Sequence, residues 1–75
     1  MGGKKSKITN RIKRARVIKG LSQVELAERV GATRQTIIAV EAERYAPSLE
    51  LAFRLAHILE EPIDGLFIFD PSALD

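Results

Sequence analysis

The sequence predicts an all-α fold, a compact five-helix domain with a short extended C-terminal segment, and three observations carry that expectation. Apolar residues recur at three- and four-residue spacings in short segments, each opened by a residue able to cap or start a helix. Two of those segments meet at one glycine, Gly31. The chain has 75 residues and no cysteine, which allows one domain and neither a disulfide nor a thiolate metal site. Stability must then come from helix packing, with help from a second subunit a further expectation. Residues 1–7 read as a basic, flexible N-terminal arm, residues 8–69 as the folded domain and residues 70–75 as a C-terminal tail.

The first helix is expected from a cap at Asn10 to about Lys19, with Ile8, Ile12 and Ala15 on the core side, Gly20 ending it and Leu21 turning inward. Ser22 then stands three residues before Glu25, a capping box in which each side chain satisfies an orphan amide of a second helix. Leu26, Ala27 and Val30 share one face of that helix. Gly31 follows where a chain leaving a helix adopts left-handed dihedrals, and Thr33 caps a third helix only two residues later. Its inner face carries Ile37 and Val40. Ser48, directly after Pro47, caps a fourth helix with Leu49, Ala52, Leu55, Ala56 and Leu59 as the buried stripe. Pro62 fits the first turn of a short fifth helix bearing Ile63, Leu66 and Phe67.

The tight corner at Gly31 makes the second and third helices cross steeply, which is the layout of a helix-turn-helix. In that motif the outer, N-terminal part of the second motif helix enters the major groove of DNA. Here that part holds Arg34, Gln35 and Thr36, with Ile38 and Ala39 further along. A guanidinium can bond guanine O6 and N7 together, and a carboxamide can pair with adenine N6 and N7, so these residue types suit that place.

The run from Gly20 to Glu41, followed by Arg44-Tyr-Ala-Pro-Ser-Leu-Glu-Leu-Ala, resembles the Cro and lambda-repressor-like (Xre-type) transcriptional regulators. The likeness spans about residues 10–69 and is strongest to very small members ending in a Leu-Phe-Ile-aromatic tail, here Leu66-Phe67-Ile68-Phe69. It implies a lambda-repressor-like fold in which Thr33, Arg34, Gln35, Thr36 and Ala39 face the groove. It also implies that Gln23 meets a phosphate, that Arg44 flanks the backbone, and that Arg16 and Glu41 form a largely buried structural ion pair. Two residues depart from the family pattern. Glu43 stands where glycine is usual, so either a non-glycine residue is held at positive φ or the loop runs differently. Ala39 replaces a residue that is often polar and offers only a methyl group, suited to a thymine methyl.

Charge is unevenly distributed. Residues 1–20 hold eight Lys or Arg and no acid, whereas residues 49–75 hold one base against six acids. A chain meeting phosphates with one end would be polarised in this way, and Lys4, Lys5 and Lys7 are expected to contact the DNA backbone. Leu51 and Ile58 lie off the core stripe, and together with the unbroken run Leu66, Phe67, Ile68 and Phe69 they form the apolar surplus expected at a homodimer interface. Residues 67–70 are expected to pair as a short strand with their mate in the second subunit. Two recognition helices related by a two-fold axis imply a pseudo-palindromic operator with half-sites about 34 Å apart, and hence a regulator, most simply a repressor. Val17 and Ile18 are a further apolar pair with no assigned place.

Other classes fit less well. His57 is the only histidine, expected as a half-buried structural residue, and with no phosphate-cradling glycine loop and no evident pocket of paired carboxylates there is no enzyme, cofactor or metal signature. No apolar run spans a bilayer and no signal-peptide core is apparent, so a cytoplasmic location is expected. Met1-Gly2-Gly3-Lys4-Lys5-Ser6 also fits the short N-myristoylation pattern, a weak motif beside a domain of prokaryotic type. The alternative from another class is an antitoxin or adaptor that binds a protein partner through its acidic, apolar C-terminal face. RNA binding lacks a stacking platform, since Tyr45 is the only aromatic near the proposed face.

Overall fold

A computed structural model describes residues 8–74. In chain order the elements are β1 (Ile8–Asn10), α1 (Ile12–Ile18), α2 (Gln23–Val30), α3 (Arg34–Glu41), α4 (Leu49–Leu59), α5 (Ile63–Leu66) and β2 (Phe67–Phe69), followed by a 3-10 turn at Pro71–Leu74. Among the described residues the domain is therefore mainly helical, with five α-helices and one two-stranded antiparallel sheet. No helix among them is long and apolar enough to cross a membrane.

The helix boundaries have local chemical causes. At the start of α2, Ser22 Oγ accepts from the Glu25 amide at 3.0 Å while Glu25 Oε1 accepts from the Ser22 amide at 2.8 Å. The Ser22 amide first, and the Ser22 hydroxyl after it, hold the Glu25 carboxyl below the usual carboxylate range. Gly31 takes φ 76°, and the amides of Gly31 and Ala32 return to the carbonyls of Glu28 and Ala27, which closes the end of α2. Thr33 and Ser48 cap α3 and α4 by accepting from the amides of Thr36 and Leu51. Glu60 ends α4 at φ 58°, and Lys19 Nζ reaches across from the end of α1 to its carboxylate at 2.6 Å, drawing that carboxyl below its usual range.

One fully buried side chain from every helix meets in the centre: Ile12, Leu26, Ile37, Leu55 and Leu66. This common core orients α2 and α3 against α4, and β1 and β2 close the side formed by the two ends of the domain.

Several expectations need correction. Ile8 is not on the core side of the first helix; it lies in β1, partly exposed and paired with Phe69, while Thr9 pairs with Ile68 and Asn10 with Phe67. Asn10 Oδ1 accepts from the Ile12 amide, so the helix begins after it and the preceding residues are left extended. Residues 67–69 thus pair with the chain's own β1. Leu66 is 1% exposed and belongs to the central core, with its carbonyl accepting from the Arg11 amide at 2.9 Å, so it is withdrawn from the dimer surface. Leu49 is 73% exposed: it sits in the first turn of α4, ahead of the stripe that Ala52, Leu55, Ala56 and Leu59 actually form. His57 is exposed rather than half-buried, because its position on α4 falls on the side turned away from that stripe.

Candidate nucleic-acid interface

The α2–α3 pair presents the candidate site. In α3, Ile37 and Val40 are buried, which turns the opposite side outward. Thr33, Arg34 and Gln35 are exposed at its start, while Thr36, Ile38 and Ala39 are half-buried beside them. Thr33 Oγ1 caps the helix and also lies 3.0 Å from Thr36 Oγ1, so the two hydroxyls act as a linked pair. Arg34 and Gln35 are left as the long polar side chains at a helix N-terminus, where the partial positive charge of the unpaired amides also favours an anionic partner.

The other end of α3 is fixed by a buried network. Arg16 Nε donates to Glu41 Oε2 at 2.7 Å, Nη2 donates to Oε1 at 3.3 Å, and Nη1 donates to the Leu21 carbonyl at 2.8 Å. Gln23, at the first position of α2, donates its carboxamide N–H to Glu41 Oε1 at 3.1 Å. The pair therefore ties α1, α2 and α3 together. Glu43 is held at φ 61°, and its amide and that of Arg44 return to the carbonyls of Val40 and Ala39. Its carboxylate accepts the Asn10 amide at 3.0 Å while Asn10 Nδ2 donates to the Val40 carbonyl at 2.8 Å. A glycine would adopt this φ at less cost, but it could not supply the acceptor that β1 uses. Arg44 then projects exposed beyond the end of α3.

Lys4, Lys5 and Lys7 lie outside the described residues. Of the apolar residues assigned to an interface, Leu51, Ile58 and Phe67 are half-buried against the core, Ile68 is half-buried and Phe69 is 47% exposed. The sequence reading missed Phe53, which is 56% exposed on α4, and Arg54, whose guanidinium reaches the end of α2. The Glu50–Arg54 spacing marks a surface helix pair, but no local pattern reveals that the same arginine extends to another helix. No group of three or more His, Cys, Asp or Glu among the described residues is placed to hold a metal ion.

A capped, outward-facing helix set across a second helix by a glycine corner defines a helix-turn-helix DNA-binding domain. The sequence profile of the Helix-turn-helix family (HTH_3) matches residues 12–66. An uncharacterized HTH-type transcriptional regulator of Methanothermobacter thermautotrophicus is 64% identical over 52 residues, covering 68% of this chain and 75% of that protein. One from Archaeoglobus fulgidus is 44% identical over 64 residues, covering 85% and 91%. Among solved structures, the hypothetical transcription factor NHTF from Neisseria superposes with a TM-score of 0.70 at 32% identity, over 84% of this chain and 70% of that one. The chain belongs to the Xre/Cro–lambda-repressor type of helix-turn-helix transcriptional regulator, a DNA-binding, non-enzymatic family.

Proposed function

We propose that the protein reads a pseudo-palindromic DNA operator as a homodimer and represses the promoter it occupies. The observation that carries this reading is the division of α3, with Ile37 and Val40 buried while Arg34 and Gln35 stand exposed at a capped N-terminus. On this reading Thr33, Arg34, Gln35, Thr36 and Ala39 meet base edges, the last through its methyl group. Gln23 uses one N–H on Glu41, which leaves the other for a phosphate and supports a backbone contact at the start of α2. Arg44 and the arm lysines Lys4, Lys5 and Lys7 supply the charge that meets the flanking backbone.

The dimer reading draws support from apolar side chains left at the surface of α4 and β2. Phe69 and Phe53 are the largest, and Leu51, Ile58, Phe67 and Ile68 are half-covered near them in sequence. With Leu66 committed to the core, Leu49 and Phe53 take its place in the proposed contact. A two-fold arrangement would set two copies of α3 in successive major grooves, and occupancy of a promoter then excludes polymerase.

Selection of bound duplexes from random DNA, with light scattering of the free and bound protein, tests the reading. The expected result is a two-fold symmetric sequence with half-sites about one helical turn apart, bound by two chains. An asymmetric site bound by a single chain would refute the dimer, and the absence of any enriched sequence would refute base reading.

A further inference from the structure

We propose that Arg54 is a positioning residue for base recognition: from α4 it braces the corner between α2 and α3 and thereby sets how α3 is presented to DNA. This rests on the DNA-reading assignment above. The last carbonyls of a helix lack intrahelical partners and carry partial negative charge. In α2, the carbonyls of Ala27 and Glu28 are used by the amides that close the helix end. The Val30 carbonyl, at the last residue before the corner, accepts instead from Arg54 Nη1 at 3.1 Å. The other arm of the same guanidinium, Nη2, bonds the Glu50 carboxylate one turn earlier on α4, so the planar fork spans two acceptors.

Gly31 completes the device. Its φ of 76° already favours glycine, and a Cβ there would lie 3.0 Å from Arg54 Nη1. The positive φ is what calls for glycine at the corner, and a Cβ there would in addition push the guanidinium away from the Val30 carbonyl by a few tenths of an ångström. Only Ala32 and Thr33 separate Gly31 from Arg34, so a small rotation at the corner is carried directly to the proposed base-reading side chains. Arg54 is carried by α4 and lines the same surface groove as Thr36, so its role through the corner is separated from a direct phosphate contact by the test.

The test compares the full-length wild type with Arg54→Met and Arg54→Lys in two measurements. Without DNA, residual dipolar couplings of the amides of α3 are referred to those of α4. With DNA, affinity is measured for the duplex selected by the wild type, for that duplex with one altered base pair per half-site, and for an unrelated duplex. In Arg54→Met the couplings of α3 change relative to α4, and discrimination between the selected and altered duplexes falls about tenfold. Affinity for the unrelated duplex and its salt slope stay unchanged, because Arg54 neutralises no phosphate. Arg54→Lys is intermediate, since an ammonium reaches one acceptor without the fork. Gly31→Ala moves α3 less in the Arg54→Met background than in the wild type, because the strain of its φ is common to both and only the displaced guanidinium differs.

Unchanged couplings in Arg54→Met would overturn the proposal and leave Arg54 a stabilising surface residue. A uniform loss of affinity with a shallower salt slope would also overturn it, by making Arg54 a phosphate ligand. If the wild type enriches no sequence, the DNA-reading assignment fails separately, and the couplings alone decide whether the brace exists.

Discussion

Replacing Glu41 by alanine should unfold a large part of what holds the recognition helix, and the size of the effect follows from its surroundings. The Glu41 side chain is 6% exposed and accepts from Arg16 Nε, Arg16 Nη2 and Gln23 Nε2. Without it, the buried guanidinium keeps only its bond to the Leu21 carbonyl. Leaving one partner of a buried pair uncompensated costs about 3–5 kcal/mol. A domain of 75 residues has in total about 4–11 kcal/mol to lose. At roughly 4–8 °C per kcal/mol for this size, the melting temperature should drop by at least about 12 °C. Urea titration followed by far-ultraviolet circular dichroism should show the midpoint lowered by about 1 M or more at unchanged slope. The double variant Arg16→Met/Glu41→Leu removes both charges and should be more stable than Glu41→Ala by about 2 kcal/mol or more. A loss below about 1 kcal/mol for Glu41→Ala, or a double variant no better than the single, would refute the account of a buried, mutually dependent pair.

Glu43 offers a separate comparison: Glu43→Ala keeps the positive φ and loses the acceptor for Asn10, whereas Glu43→Gly loses the acceptor but relieves the backbone. Glycine should therefore be the more stable variant by about 1 kcal/mol in urea unfolding, and equality would argue against the left-handed turn. Arg34→Ala and Gln35→Ala should each weaken binding to the selected duplex by about 1–3 kcal/mol and relax preference at one position per half-site, as read by repeating the selection. Acid titration should reveal the capping box, because the Glu25 carboxyl titrates below its unfolded value when Ser22 bonds it. The stability it contributes is fully present above the unfolded glutamate range and is lost as pH falls through the folded value, so Glu25→Gln should flatten the acid limb of the stability curve. Phe53→Ser with Phe69→Ser should convert a dimer to monomers in light scattering while leaving the circular dichroism of the fold intact.

Much of the helical framework was legible because its signals are local. Ser22 and Glu25 are three residues apart, Gly31 and Thr33 two, and Ser48 immediately precedes its helix, so capping chemistry is written in adjacent positions. Stripes of apolar residues identified Leu26, Ile37 and Leu55 for the same reason. The sheet was not legible. Each strand has three residues, too few to establish alternation, and the pairing of Ile8 with Phe69 joins opposite ends of the chain. Missing the sheet misplaced Ile8 and Leu66 together, since the strand that ends at Asn10 is what brings the Arg11 amide onto the Leu66 carbonyl. Leu49 misled because its spacing continues the stripe by one turn, to the first residue of α4, where the side chain is exposed. At the candidate site the exposed residues of α3 followed from helical periodicity. The reach of Arg54 to Val30, 24 positions away, follows only from how α2 and α4 pack.

The pairing of β1 with β2 also orders events during synthesis. A ribosome makes Ile8–Asn10 early, but their ladder partners Phe67–Phe69 come only after all five helices. Until Phe67–Phe69 have been made and join the fold, that ladder cannot form and Leu66 cannot fill the centre of the helical cluster. A chain cut short before Leu66 would therefore carry every residue of the recognition helix, yet lack the closure that completes its support.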